Sequence, residues 1–265
     1  MSYIPLENRS VVVLYGPDTK NFLQGIITND INNLSSQKAI YSLLLNSQGK
    51  YLYDFFLIKC GKYTLLECEN TYLQQIIEKL NLLKTYLRVK VKNVSTLYRV
   101  GVLFNTKSIE YSNESQIIFQ DPRHKSLGMR IIHKDEISQP IGDFIQYERV
   151  RIENLIPDGT KDMVQNSSFP LQYLIDKING ISFNKGCYIG QEVVNRMSRQ
   201  ETLRRKLYPV EGNNTLPNIG TKIINESNEE IGELRSTIDK IGLALLNTGK
   251  SYTNLYANGV KIYVR

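Results

Sequence analysis

One octet concentrates the groups that could do chemistry: Lys185, Gly186, Cys187, Tyr188, Ile189, Gly190, Gln191 and Glu192 follow one another without interruption. The thiol is its reactive group. Gly186 can take a positive φ just before Cys187, and Gly190 removes a side chain where another group could approach the main chain, so both expose the sulfur. Residues 181–183 are an apolar run ahead of the turn, and from Gly190 onward the composition favours a helix. If that helix opens across residues 188–191, Cys187 lies at its N-terminus beside Lys185, where the dipole and the ammonium both favour thiolate. A buried structural cysteine in a strand-to-helix turn would show the same spacing.

The elements that must position the octet can be read from residue periodicity. Residues 11–15 form a β-branched run stopped by Gly16-Pro17, after which Asp18 offers an N-cap to a helix carrying Phe22, Leu23, Ile26 and Ile27 on one face. Residues 40–45, 51–60 and 63–68 read as strands joined by hairpin turns at Gln48-Gly49 and Gly61-Lys62. A helix with Leu73, Ile76, Ile77, Leu80 and Leu83 at 3.6-residue spacing follows, then an alternating strand at 87–94. Residues 98–104, 116–120 and 129–133 are further strands, and 142–154 turns helical toward its end. Pro170 suits a helix's first turn, with Leu171, Leu174, Ile175 and Ile178 as its stripe and Asn179-Gly180 as its C-cap. Beyond Arg204 come short strands at 204–210, 222–224, 230–236, 241–246 and 260–264, the pattern of a small antiparallel barrel. The expected division is therefore a body at 1–203 and a barrel at 204–265.

Composition limits the function classes. At 265 residues, 41% hydrophobic and 22% charged, the chain can bury a substantial core and is not disordered. A net charge of +7 suits anionic partners, but Lys and Arg are scattered, with a single run at Arg204-Arg205-Lys206, so direct nucleic-acid binding is not expected. Cys60, Cys68 and Cys187 make no C-x-x-C pair, and only His124 and His133 join them, which argues for a reducing compartment and against a resident metal cage. No secretory signal, transit-like segment or run of about 18 apolar residues is visible. A cytoplasmic protein is the expectation, with the mitochondrial matrix open to a processed eukaryotic chain.

The octet resembles the signature of the YgfZ family of folate-binding proteins, which includes the mitochondrial iron-sulfur assembly factors and is related to the glycine-cleavage T-protein. Residues 22–30 (FLQGIITND), 48–50 (QGK), 87–91 (LRVKV), 121–128 (DPRHKSLG) and 241–244 (IGLA) follow in the family's order. The resemblance implies an α+β body of mixed sheets and helices around a central folate cavity, with a C-terminal antiparallel barrel. It implies tetrahydrofolate or a derivative as cofactor. A pterin edge of N–H donors suits the carboxylate of Glu192 and the amide of Gln191; a first-turn Glu is equally an ordinary dipole partner, worth about 0.3–1 kcal/mol. Tyr147 and Tyr188 are the aromatic walls in a chain with no tryptophan, although each type is more often core packing. Asn29 and Asp30 match the cavity-lining T-N-D, which is otherwise a polar turn. Arg196 either meets a glutamate tail or pairs with Glu192 one turn away, worth roughly 0.3–0.5 kcal/mol. Asp54 is a weaker candidate on a strand.

Three functions compete. The resemblance favours a monomeric accessory protein for assembly or repair of iron-sulfur clusters, with Cys187 engaging a partner, a sulfur species or iron transiently. A tetrahydrofolate-dependent aminomethyltransferase is the second. Those enzymes lack a cysteine in the corresponding elbow and carry a catalytic Asp in a region that here, at 66–72, reads LECENTY. A protein supporting tRNA modification is the third. Whether the chain is an enzyme stays open, and no membrane partner is expected.

Overall fold

The computed structural model describes residues 1–106, 115–200 and 203–265. Its first sheet grows from the alternation in β2 (Arg9–Tyr15). Val12 and Leu14 point to one face, where Phe22, Leu23 and Ile26 of α1 (Thr19–Ile26) and Ile76 and Leu80 of α2 (Leu73–Lys84) share a core with them. Val11 points the other way, into the core at the centre of the body. With β3 (Ile40–Leu45), β4 (Tyr51–Cys60), β5 (Tyr63–Glu69) and β6 (Lys90–Asn93) the antiparallel order is β3-β4-β5-β2-β6. Asp18 precedes α1 but does not cap it through its side chain; its carboxylate instead accepts from the Arg88 backbone N–H at 2.8 Å.

A second antiparallel sheet has the order β1-β7-β9-β8, from β1 (Ser2–Pro5), β7 (Arg99–Phe104), β8 (Gln116–Gln120) and β9 (Met129–His133). Helix α3 (Phe144–Glu153) starts where the Asp143 side chain accepts from the Ile145 N–H, and a single turn, α4 (Gly159–Asp162), starts under Asp158. Six strands close the barrel in the order β10-β13-β12-β11-β14-β15: β10 (Arg205–Gly212), β11 (Lys222–Ile224), β12 (Glu230–Ile238), β13 (Ile241–Asn247), β14 (Leu255–Ala257) and β15 (Val260–Val264). Body and barrel are stitched by Arg151, whose guanidinium donates to Asp162 Oδ2 at 3.2 Å and to Ser236 Oγ on β12 at 2.8 Å. The molecule is thus a mixed α+β body with a closed six-stranded barrel.

The strands at 40–45, 51–60, 116–120, 129–133, 222–224 and 260–264 fall where periodicity places them. The stripe at 171–178 does not form the expected helix. Leu171, Leu174, Ile175 and Ile178 are all buried, but one 3-10 turn, Pro170–Tyr173, gives way at Leu174, which takes a left-handed φ of 59°. Burial selected those residues without a helical backbone. β1, α4 and β14 are too short for a periodic pattern and are seen only in the structure. Among the described residues no helix is long and apolar enough to cross a membrane.

Candidate functional site

Of the three thiols, Cys187 is exposed, Cys60 half-buried and Cys68 fully buried. The loop bearing Cys187 ends at Gly190, which has φ 84° and opens helix α5 (Gln191–Ser198). A Cβ on Gly190 would lie 2.7 Å from the Asn46 carbonyl oxygen, so only glycine fits against the 46–50 turn. That turn is held by Asn46 Oδ1, which accepts from the backbone N–H of Gln48 and of Lys50, each at 3.0 Å. Gln191 folds back so that Nε2 donates to the carbonyl oxygens of Gly186 at 3.3 Å and Lys185 at 3.5 Å. Gln191 is therefore a brace for the thiol loop. Gly186 is exposed, faces open space and has no positive φ, contrary to the role expected of it.

Lys185 does not lie beside the thiol as an activating charge. Its ammonium turns inward and donates to the carbonyl oxygens of Gln24 at 2.8 Å, Ile27 at 2.7 Å and Asn29 at 2.8 Å, groups left unpaired where α1 ends. It also stands 4.9 Å from the Tyr188 ring centroid. Burial brings its pKa down to about 8, against the opposing pull of Asp30. Because α5 begins at Gln191, four residues past the sulfur, the helix dipole is not at Cys187 either. Exposure distinguishes this cysteine from the other two. Tyr188 is buried beneath Lys185, its hydroxyl lacks a partner among the described residues, and burial pushes its pKa up to about 12.

Between the two sheets, where the resemblance implies a ligand cavity, the centre is occupied by side chains. Arg9 Nε donates to Glu67 Oε1 at 2.7 Å and Arg9 Nη1 to Glu69 Oε1 at 3.0 Å. Arg130 forms a two-pronged pair with Glu67, and Arg123 another with Asp121. The guanidinium carbons of Arg130, Arg123 and Arg9 lie 4.1, 4.9 and 5.7 Å from the Phe56 ring centroid. Burial opposes the charge on Glu67 and on Asp121, but Arg130 and Arg9 on the one and Arg123 on the other outweigh it, leaving both carboxyls below their ordinary range. Glu69 is lifted by burial despite Arg9. Tyr147 closes the lattice, accepting from Arg123 Nη2 at 3.3 Å. Asp54 is buried close by and accepts from the hydroxyls of Tyr51 at 2.8 Å and Tyr41 at 3.0 Å. A gap of only about 40 Å³ remains. None of these ion pairs was foreseen: Asp121 and Arg123 stand together in the DPRHKSLG stretch, but nothing in the sequence marks them as a buried pair, and Arg9, Glu67 and Arg130 lie far from one another along the chain.

Glu192 and Arg196 are exposed on α5 and, among the described residues, form no ion pair with each other. Neither they nor Gln191 border the central gap. Asn29 is buried and stitches β3 to the octet's approach, its Nδ2 donating to Tyr41 O at 2.8 Å and Asn179 O at 2.7 Å. Asp30 accepts from the Asn32 N–H at 2.9 Å and from Gln24 Nε2 at 3.0 Å, and the first of these bonds leads in holding its carboxyl below the ordinary range. A wider cavity of about 640 Å³ opens on this side. Its walls include Asn29, Asn33, Gln37, Asn179, Phe183 and Asn184, and residues 182–184 run directly into Lys185 and Cys187.

Comparison with known proteins adds family evidence. Residues 204–265 match the model of the CAF17 C-terminal beta-barrel domain. The mitochondrial iron-sulfur cluster assembly factor IBA57 of Mus musculus is 30% identical over 274 residues, spanning 92% of this chain and 76% of its own length. The Homo sapiens counterpart is 29% identical over 270 residues, spanning 91% and 76%. In fold, the chain superposes on the glycine cleavage system aminomethyltransferase T from Bartonella henselae with a TM-score of 0.76 at 13% identity, over 99% of this chain and 84% of the other. These iron-sulfur assembly relatives, from mammals, Dictyostelium discoideum and several fungi, are all named mitochondrial. That overturns the cytoplasmic expectation, which rested only on the lack of a recognisable targeting pattern.

Proposed function

The chain belongs to the family of the iron-sulfur cluster assembly factor IBA57, and on that premise we propose that its Cys187 thiol meets the cluster-assembly machinery directly, in the relatives' mitochondrial compartment. Exposure of this one thiol on a braced loop carries the proposal. Iron-sulfur clusters are generally held by four thiolates. Among the described residues no group of three metal-ligating side chains exists, so this chain supplies a single sulfur and its partner the rest. Cluster, iron or sulfane sulfur is then cargo held between two proteins. Gln191 and Lys185 fix the loop and leave the sulfur free to be approached.

An aminomethyltransferase activity has less support. In the 66–72 segment, where the resemblance implies a catalytic carboxylate, Glu67 is fully buried and bridged by Arg9 and Arg130. A folate at the centre of the body does not fit. Small-molecule sites run to roughly 300–1,000 Å³, the central gap is about 40 Å³, and Glu192 and Gln191 stand outside it. We assign the folate that the resemblance implies to the 640 Å³ cavity instead, where the side-chain amides of Asn33, Gln37 and Asn184 can supply donors and acceptors and Phe183, 42% exposed, offers a ring face.

In cells lacking the protein, Cys187→Ser should leave iron-sulfur enzyme activities unrescued while the purified variant keeps the wild-type circular dichroism and melting temperature. Full rescue would make the thiol dispensable and end the proposal.

A further inference from the structure

The face of the first sheet opposite α1 and α2 is covered near Val11 but open toward Tyr15. Strand register sets Tyr15 against Lys90 and Val13 against Lys92, while Val13 also faces Leu65 and Tyr63 faces Cys60. The rings of Tyr15 and Tyr63 meet edge to face with centroids 5.6 Å apart. With Tyr98 they line a cleft of about 330 Å³ floored by Val13 and Leu65. A lysine reaches each ring: Lys92 Nζ is 5.9 Å from the Tyr15 centroid, Lys62 Nζ 5.5 Å from Tyr63, and Lys134 Nζ 5.4 Å from Tyr98. Among the described residues Lys62, Lys90, Lys92 and Lys134 have no carboxylate partner, unlike the buried arginines.

We propose that this cleft binds a nucleotide, its base stacked on the tyrosines and its phosphate neutralised by Lys62 and Lys92. A cleft with aromatic walls and unpaired cations matches both halves of such a ligand: the rings take the flat apolar face, and the ammonium groups exchange a weak cation-π contact for a phosphate. Its volume lies within the usual range for small-molecule sites, roughly 300–1,000 Å³. β6 is an edge strand, so Lys90 and Lys92 are open to a chain passing along the sheet. The same chemistry is offered by a free nucleotide and by one residue of a single strand.

Titrating the full chain with adenosine monophosphate, followed by tyrosine fluorescence, and with a labelled single-stranded RNA of about 12 nucleotides, followed by anisotropy, separates the two. Saturation by the mononucleotide with no tighter binding of the RNA identifies a free nucleotide. Binding of the RNA at least tenfold tighter, weakening between about 50 and about 200 mM salt, identifies a single strand. Tyr63→Leu should lower affinity roughly 5- to 150-fold, and the Lys62→Gln, Lys92→Gln double variant should reduce the salt slope for RNA by about 1.4. Both substitutions lie on the surface, and unchanged circular dichroism checks their fold. No saturation by either probe, or equal binding by the variants, would overturn the proposal and leave the lysines and tyrosines as partners of one another.

Discussion

Gly49 and Gly190 meet back to back: a Cβ on Gly190 would lie 2.9 Å from the Gly49 Cα, and one on Gly49 would lie 3.1 Å from the Gly190 carbonyl oxygen. Two segments separated by about half the chain are locked by the absence of two side chains, and the lock sets where the Cys187 loop leaves α5. Both residues have positive φ, 71° at Gly49 and 84° at Gly190, so a substitution meets backbone strain as well as contact. Gly190→Ala should lower stability by about 1–3 kcal/mol and change the rate at which Cys187 is alkylated, read by urea denaturation and mass spectrometry. A wild-type midpoint would show that the 46–50 turn yields freely.

The pairing of these turns explains how much could be read beforehand. QGK and the octet were visible as motifs, and so was the reason a glycine stands at 190, since a close approach was expected there. What the approach was to could not be read. The converse holds at Lys185: a lysine two residues from a cysteine suggests an activated thiol, but the fold sends its ammonium to the α1 carbonyls. The lysines at 62, 90, 92 and 134 looked scattered and are gathered by strand register. Similarly, nothing in the LECENTY segment set Glu67 apart, and only the fold brings Arg9 and Arg130 onto it. Local periodicity carries strands and amphipathic helices, whereas polar lattices arise from pairings across the chain.

Accessibility orders the thiols. Cys187 should react first with iodoacetamide at neutral pH and Cys60 more slowly. Cys68, fully buried and with its thiol pushed up to about 12 by burial, should react only on unfolding. Peptide mapping over a time course checks the order. Labelling of Cys68 at the rate of Cys187 in folded protein would contradict the burial on which it rests.

The lattice around Phe56 makes stability acid-sensitive. Glu67 and Asp121 hold pKa values below those of an unfolded chain, near 4. The unfolded chain therefore takes up protons first. Their stabilisation is fully present above about pH 4 and is lost as the pH falls through the folded values. Glu69, lifted by burial, acts in the opposite sense and softens the slope. Glu67→Gln leaves Arg9 and Arg130 without their shared charge and should cost about 3–5 kcal/mol at pH 7, with a shallower loss between about pH 5 and pH 3. Melting temperatures of both proteins across that range decide it.

Ligand position tests the body separately from the thiol. If reduced folate occupies the cavity beside the cysteine loop, the ring face it covers belongs to Phe183 and the edge it reads belongs to amides such as Asn184. Glu192, exposed on α5 and away from both cavities, then has no part in recognition. Calorimetry with tetrahydrofolate should show Phe183→Ala weakened by about 5- to 15-fold, the worth of one stacked ring at about 1–1.5 kcal/mol, and Glu192→Ala equal to wild type. A loss confined to Glu192→Ala would mean that the pterin lies against α5, outside both cavities, and would end the assignment to Phe183 and Asn184. Absence of heat with wild type would remove folate from the account and leave the Cys187 proposal standing, because the exposure of that sulfur depends on Gly190, Gln191 and Lys185 rather than on either cavity.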